Sequence, residues 1–287
     1  MKIFSPLSLT LFISFFAPFC LAADPVLQPA WQTDDIFLQP ESIVYDAKRG
    51  VLYVSNVNGD DNGFISLLSP AGELIDLHWL TGLNGPKGLA LVGDNLYVAD
   101  VNDLLEIDVS TKKITQRYHA PGSLFLNDVA ADDDGNVYVS DMMANGIYRL
   151  ADGELEIWLV ASELEAPNGL LIEGNQMIVG SWGNMTDGFS TDIPGHLKTI
   201  DLNTKELNSL GNKRPVGNLD GVEPDGNGNY LVTDWMAGKL LIITPDGRST
   251  TLLSLDKGSA DHTVLPQQNL IIIPMMLSNT VVAYHIN

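Results

Sequence analysis

The chain of 287 residues is 45% hydrophobic and 18% charged, a globular composition, and 36 acidic against 15 basic side chains give a formal net charge of −21 and a pI near 4.3. A polyanion of this kind repels phosphate, which argues against nucleic acid and anionic membranes as partners. The 15 prolines and 26 glycines are spread through the chain, implying many short elements and excluding a long helical bundle.

The first predicted element is a leader. Lys2 precedes a mostly apolar run from Leu9 to Leu21, and Cys20-Leu21-Ala22 forms a small-x-small site, the pattern of a secretory signal over residues 1–22. An uncleaved anchor needs roughly 20 apolar residues, and Pro6, Ser8 and Pro18 interrupt this one. Phe19 before Cys20 argues against lipid attachment. Cys20 is the only cysteine, so residues 23–287, expected to form one exported periplasmic or secreted domain, have no disulfide or thiolate chemistry.

Six apolar strands then recur along the chain. They are Val51-Leu52-Tyr53-Val54-Ser55-Asn56, Leu96-Tyr97-Val98-Ala99-Asp100, Val137-Tyr138-Val139-Ser140-Asp141, Met177-Ile178-Val179-Gly180-Ser181, Tyr230-Leu231-Val232-Thr233-Asp234 and Leu270-Ile271-Ile272-Ile273-Pro274. Their anchors at 54, 98, 139, 179, 232 and 272 lie 44, 41, 40, 53 and 40 residues apart, the period of a propeller. Each strand follows a turn and another short apolar strand, and a third and fourth strand come after it, so each repeat reads as one four-stranded antiparallel blade. The predicted fold is all-β, a six-bladed β-propeller. The sixth repeat runs out after Thr280 to Ile286, and its missing outer strand is expected from near Pro29 to Asp34, closing the ring without a free edge. Asp134, Asp152, Asp225 and Asp246 precede glycine and are read as turn residues. Asp132-Asp133-Asp134-Gly135-Asn136 lacks the closing Glu of a calcium loop.

The innermost strands begin with Pro40-Glu41-Ser42, Pro86-Lys87-Gly88, Leu126-Asn127-Asp128, Pro167-Asn168-Gly169, Leu219-Asp220-Gly221 and Ala260-Asp261-His262. All six place a polar residue where a strand lining the tunnel starts, so six side chains are expected to converge near one mouth. Glu41, Asn127, Asn168 and Asp220 offer hard oxygen ligands from four blades. That set suits Ca²⁺ best, then Mg²⁺; Zn²⁺ is less natural without His or Cys. The bland alternative is a hydrogen-bonded polar plug. The loops after the second strands are expected to wall this mouth with Met142, Met143, Trp182, Trp235, Met275 and Met276, and the insertion from Gly183 to Gly195 is a candidate lid. Asn56 to Gly63 is a second candidate rim.

In this set of short motifs the chain resembles the senescence-marker-protein, gluconolactonase and regucalcin family, more distantly the paraoxonases and diisopropyl fluorophosphatase. The resemblance rests on Glu41 after proline, Asn127-Asp128, Pro167-Asn168-Gly169 and Asp220-Gly221, in order and at blade spacing. It implies that Glu41, Asn168 and Asp220 hold a catalytic divalent cation, with Asn127 as a further ligand or a substrate contact. Members acting on sugar lactones carry an Arg two residues before the Asn-Asp pair, where this chain has Phe125, so a substrate with a hydrophobic part is expected, contacting Phe125, Trp182, Trp235 and Met143. The expected activity is metal-dependent hydrolysis of a lactone or ester. Hydrolysis of a phosphotriester-type bond at the same metal and a non-catalytic binding propeller are the alternatives. Asp128, Asp220 and the Asp261-His262 pair are candidate bases. No Gly-x-Ser-x-Gly elbow or phosphate-cradling loop is present. The expected partner is a small molecule, the expected state a monomer.

Overall fold

The computed structural model describes Met1, residues 27–59 and residues 62–286. Residues 2–22 of the expected leader, and residues 60 and 61 of the candidate rim, lie outside the described residues. Six four-stranded antiparallel sheets follow one another along the chain and form a six-bladed propeller. Blade one, for example, runs from the inner strand Pro40–Asp46 through Val51–Asn56 and Gly63–Leu68 to the outer strand Leu74–Leu83. Among the described residues the only helical turns are Ser162–Leu164 and Pro266–Gln268, and no helix is long and apolar enough to cross a membrane.

The sixth blade closes as expected. Its outermost strand is Leu27–Gln32, paired antiparallel with Thr280–Ile286. Trp31 fixes the closure by packing against the seam between blades six and one and donating its indole N–H to Pro70 O at 3.1 Å.

No single core fills the molecule. Each seam between neighbouring blades carries its own apolar cluster, such as Tyr97, Leu104, Val129, Val139 and Tyr148 between blades two and three. This follows from strand alternation: both faces of every blade are covered by a neighbour, so both must be apolar.

The inner strands share one irregularity that builds the site. In blades one to five the pairing of inner and second strands slips between the first and fourth residues, at Pro40/Ile43, Pro86/Leu89, Leu126/Val129, Pro167/Leu170 and Leu219/Val222. Such a bulge frees backbone groups and re-aims side chains. The freed amide of the third residue is satisfied by a hydroxyl near the end of the second strand: Ser42 N donates to Ser55 Oγ, Asp128 N to Ser140 Oγ and Gly221 N to Thr233 Oγ1, each at 2.9 Å. The acidic or amide residue that follows holds the entry loop of its blade. Asp100 accepts from Asn84 N and Gly85 N, Asp141 from Leu124 N and Phe125 N. The recurring Ser/Thr-Asp/Asn strand ending is therefore the fastener of the bulge.

Candidate functional site

The bulge separates the two residues within it. The first of each pair, Glu41, Lys87, Asn127, Asn168 and Asp220, faces one cavity of about 230 Å³, whose other walls are Phe125, Met142, Trp182, Phe189, Trp235, Met276 and Leu277. The second, Ser42, Gly88, Asp128, Gly169 or Gly221, lies where the inner strands approach most closely. A Cβ on Gly169 would collide with Asp220 O, and one on Gly221 with the Asp261 carboxylate.

Two buried oxygens of this cavity stand out. Glu41 Oε2 and Asn168 Oδ1 are buried and have no hydrogen-bond partner. Asn168 donates its amide N–H to Leu219 O at 3.2 Å, which turns its oxygen away from the backbone, and Ser140 Oγ donates to Asn168 O at 2.8 Å, fixing the strand. Asn127 turns its Nδ2 toward Met142 Sδ, 3.7 Å away. Burial drives the Glu41 carboxyl up to about 8, with Lys87 opposing the shift, and Asp220 is pushed well above the usual carboxylate range, first by burial and then by the charges of Glu41 and Asp261. A buried carboxylate with no partner is costly, and a cation would relieve both the desolvation and the repulsion. Two carboxylates and two amides form a hard, oxygen-only donor set, which fits Ca²⁺ or Mg²⁺. The residues lining this cavity include no His or Cys, the ligands that Zn²⁺ prefers.

The opposite side of the cavity is aromatic. Trp182 and Trp235 meet at 5.9 Å between ring centroids, and Phe189 bridges Trp182 at 6.1 Å and Phe125 at 5.7 Å. Phe189 arrives on the blade-four insertion, a hairpin of Gly183–Met185 and Thr191–Pro194, and Trp182 Nε1 donates to Phe189 O at 2.9 Å.

Several expectations are corrected by these positions. Met143 does not line the cavity but lies 41% exposed beside it, while its neighbour Met142 is buried in the wall. Asp128 and His262 face a second cavity, of about 240 Å³, together with Asp261 and Glu223. Only five of the six ring residues therefore converge: Asp261 lines the second cavity and accepts from Ser42 Oγ at 2.5 Å. Asp128 spends both oxygens on backbone amides, Val129 N at 2.7 Å and Leu170 N at 2.6 Å, and so stitches blade three to blade four. His262 is buried with neither ring nitrogen partnered, and burial pushes its imidazole down to about 3, which leaves it neutral and a weak base.

The sequence reading missed Phe189, Leu277 and a role for Lys87. Only the position of Lys87 in the aligned strand starts could have drawn attention to it. It also passed over His196, now part of a polar cluster on blade four: Lys198 Nζ lies 2.5 Å from Glu165 Oε2 and 3.1 Å from His196 Nε2, which contacts Ser209 Oγ at 2.9 Å.

Together, the ring of antiparallel blades and the oxygen-lined pocket on its axis define a six-bladed propeller with a small-molecule-sized axial site. The family model described as "SMP-30/Gluconolactonase/LRE-like region" matches residues 39–260, and the chain belongs to this family. Solved structures share the fold. A gluconolactonase from Xanthomonas campestris has a TM-score of 0.68 at 14% identity, covering 92% of this chain and 90% of that one. A streptogramin B lyase has 0.65 at 14%, covering 92% and 98%. A catalytically inactive virginiamycin B lyase from Staphylococcus aureus with quinupristin has 0.63 at 12%, covering 92% and 100%. No curated protein matches the chain at a significant level.

Proposed function

We propose that this chain is a divalent-cation-dependent hydrolase of a lactone or ester with a hydrophobic part. The observation that carries the reading is the pair of orphaned buried oxygens, Glu41 Oε2 and Asn168 Oδ1, in one cavity with Asn127 and Asp220. Glu41, Asn127, Asn168 and Asp220 would hold the cation, with Ca²⁺ the best match to their chemistry. When bound, the cation supplies Lewis-acid polarisation of a carbonyl oxygen and lowers the pKa of water.

The chain's own groups do the rest. Asn168, tied at its nitrogen, presents its oxygen in a fixed direction and loses little freedom when it binds. Asp220 is the proton acceptor proposed for attacking water, since Asp128 and His262 face the other cavity. Trp182, Phe189, Trp235, Met276 and Leu277 receive the apolar part of the substrate and exclude bulk water, which strengthens every charge interaction beneath them. Phe125, where sugar-lactone members carry Arg, supports the apolar preference. The apolar run of residues 9–21 supports export to the periplasm or exterior, and closure of the ring within one chain supports a monomer.

The test is a panel of alkyl lactones, aryl esters and phosphotriesters assayed in Ca²⁺ and in excess chelator, with labelled water to show that its oxygen enters the product. Turnover of a lactone or ester that chelator abolishes, and that falls at least about a hundredfold in Asn168→Ala and Asp220→Ala, is expected. Full activity in chelator, or in both variants, would overturn the reading. Turnover confined to phosphotriesters would replace its electrophile.

A further inference from the structure

Lys87 is a buried amine with too few partners. It is 9% exposed, and it is the only basic side chain among the residues lining the cavity. One of its three N–H donors reaches Gly85 O at 3.3 Å, and the ammonium sits 4.8 Å from the centroid of the Phe125 ring. Neither carboxylate that influences it is paired with it. Asp100 is committed to Asn84 N, Gly85 N and Asn84 Nδ2, and Glu41 leaves Oε2 without any hydrogen bond.

An ammonium taken out of water is costly unless its donors are met. A lysine present only for structure would close on Glu41, since both are buried on neighbouring inner strands. Here no ion pair joins the two, although both line the same cavity. The same cavity is walled by Trp182, Phe189, Trp235, Met276 and Leu277. A molecule filling this space meets both a cation and an apolar wall.

We propose that Lys87 selects the substrate by its charge: the cavity takes an amphiphile with a carboxylate, which Lys87 binds, attached to an apolar body that packs on the aromatic wall. This deepens the hydrolase reading by naming the substrate class, and it rests on that reading only for the chemistry, not for the binding. It also accounts for the departure at Phe125. The ring there shields the Lys87 ammonium from water on one side, which strengthens its pairing with an anion and contributes a cation–π contact.

The test uses binding, so that failure of hydrolysis and failure of selection are read separately. The full chain is titrated with 4-(4-nitrophenyl)butyrate and with the corresponding amide, following quenching of Trp182 and Trp235 by the nitroaromatic ring, at low salt and with excess chelator. The wild type is expected to bind the acid at least about tenfold more tightly than the amide, the worth of one hydrogen bond to a charged group. In Lys87→Met the acid-to-amide preference is expected to collapse toward one, and in Lys87→Arg to persist. Lys257→Met, which removes an exposed rim cation 5.3 Å from the Trp235 ring, should leave the ratio unchanged. Equal affinity for acid and amide in the wild type would overturn the proposal without any variant having to fold. So would a preference that appears only with Ca²⁺ and survives Lys87→Met, because the cation would then be reading the carboxylate.

Discussion

Asn168 ties one end of its amide to Leu219 O and leaves the other without a partner, and Glu41 leaves its buried Oε2 without one. Buried polar atoms are nearly always satisfied, so an orphan at the base of a cavity points to a ligand. His262 carries two further orphans, one at each ring nitrogen, in a different cavity. Each unpaired buried group costs roughly 1 to 3 kcal/mol. His262→Leu is therefore expected to raise stability by roughly 1 kcal/mol in urea unfolding, since it removes the polar atoms while keeping an apolar side chain. Loss of turnover with unchanged stability would instead return His262 to the catalytic set. That Glu41, Asn127, Asn168 and Asp220 share one cavity was legible in the sequence because each stands after proline or leucine at the start of an inner strand. Asp128 falls in the other cavity because adjacent residues in the bulge face opposite ways, which one-dimensional spacing does not show; His262 belongs to blade six, where the first strand pairing has no such slip, and lines the second cavity beside Asp261.

The element that matters most is the bulged inner strand. Pro or Leu starts it, a polar residue turns to the cavity, and a small residue lets the next strand pass. Gly169 is the clearest case: an added Cβ would meet Asp220 O, a backbone atom that cannot rotate away. Gly169→Ala is expected to cost about 3 kcal/mol in urea unfolding and to weaken Ca²⁺-dependent turnover by displacing Asp220. A variant as stable and as active as the wild type would show that the strands are not this closely packed. Blade count, strand order and the borrowed sixth outer strand were readable because apolar strands and turn residues repeat at a fixed period. Phe189 was not, because an insertion has no counterpart in the other blades and its contact with Trp182 depends on how the hairpin folds back.

For the whole molecule, the axis concentrates acidic side chains in a low-dielectric tunnel. Burial raises Asp261 to about 7, Glu223 to about 8 and Glu41 to about 8. The folded chain thus holds protons that the unfolded chain releases near its ordinary carboxylate values, so stability from these groups is full below about 4 and is lost progressively until pH reaches about 7 to 8. His262 acts oppositely, but only below its ordinary value of 6.5. The melting temperature of the cation-free protein is expected to fall between about pH 6.5, above which His262 no longer opposes, and about pH 8, with a smaller fall in Ca²⁺. A flat or rising profile would mean that these carboxyls ionise freely in the folded chain. The measurement that bears most directly on the shared oxygen cage is calorimetric titration of Ca²⁺ into chelator-stripped protein at neutral pH. A single saturable site is expected, weakened at least about a hundredfold in Asn168→Ala and in Asp220→Ala; absence of binding in the wild type, or unchanged affinity in both variants, would contradict it.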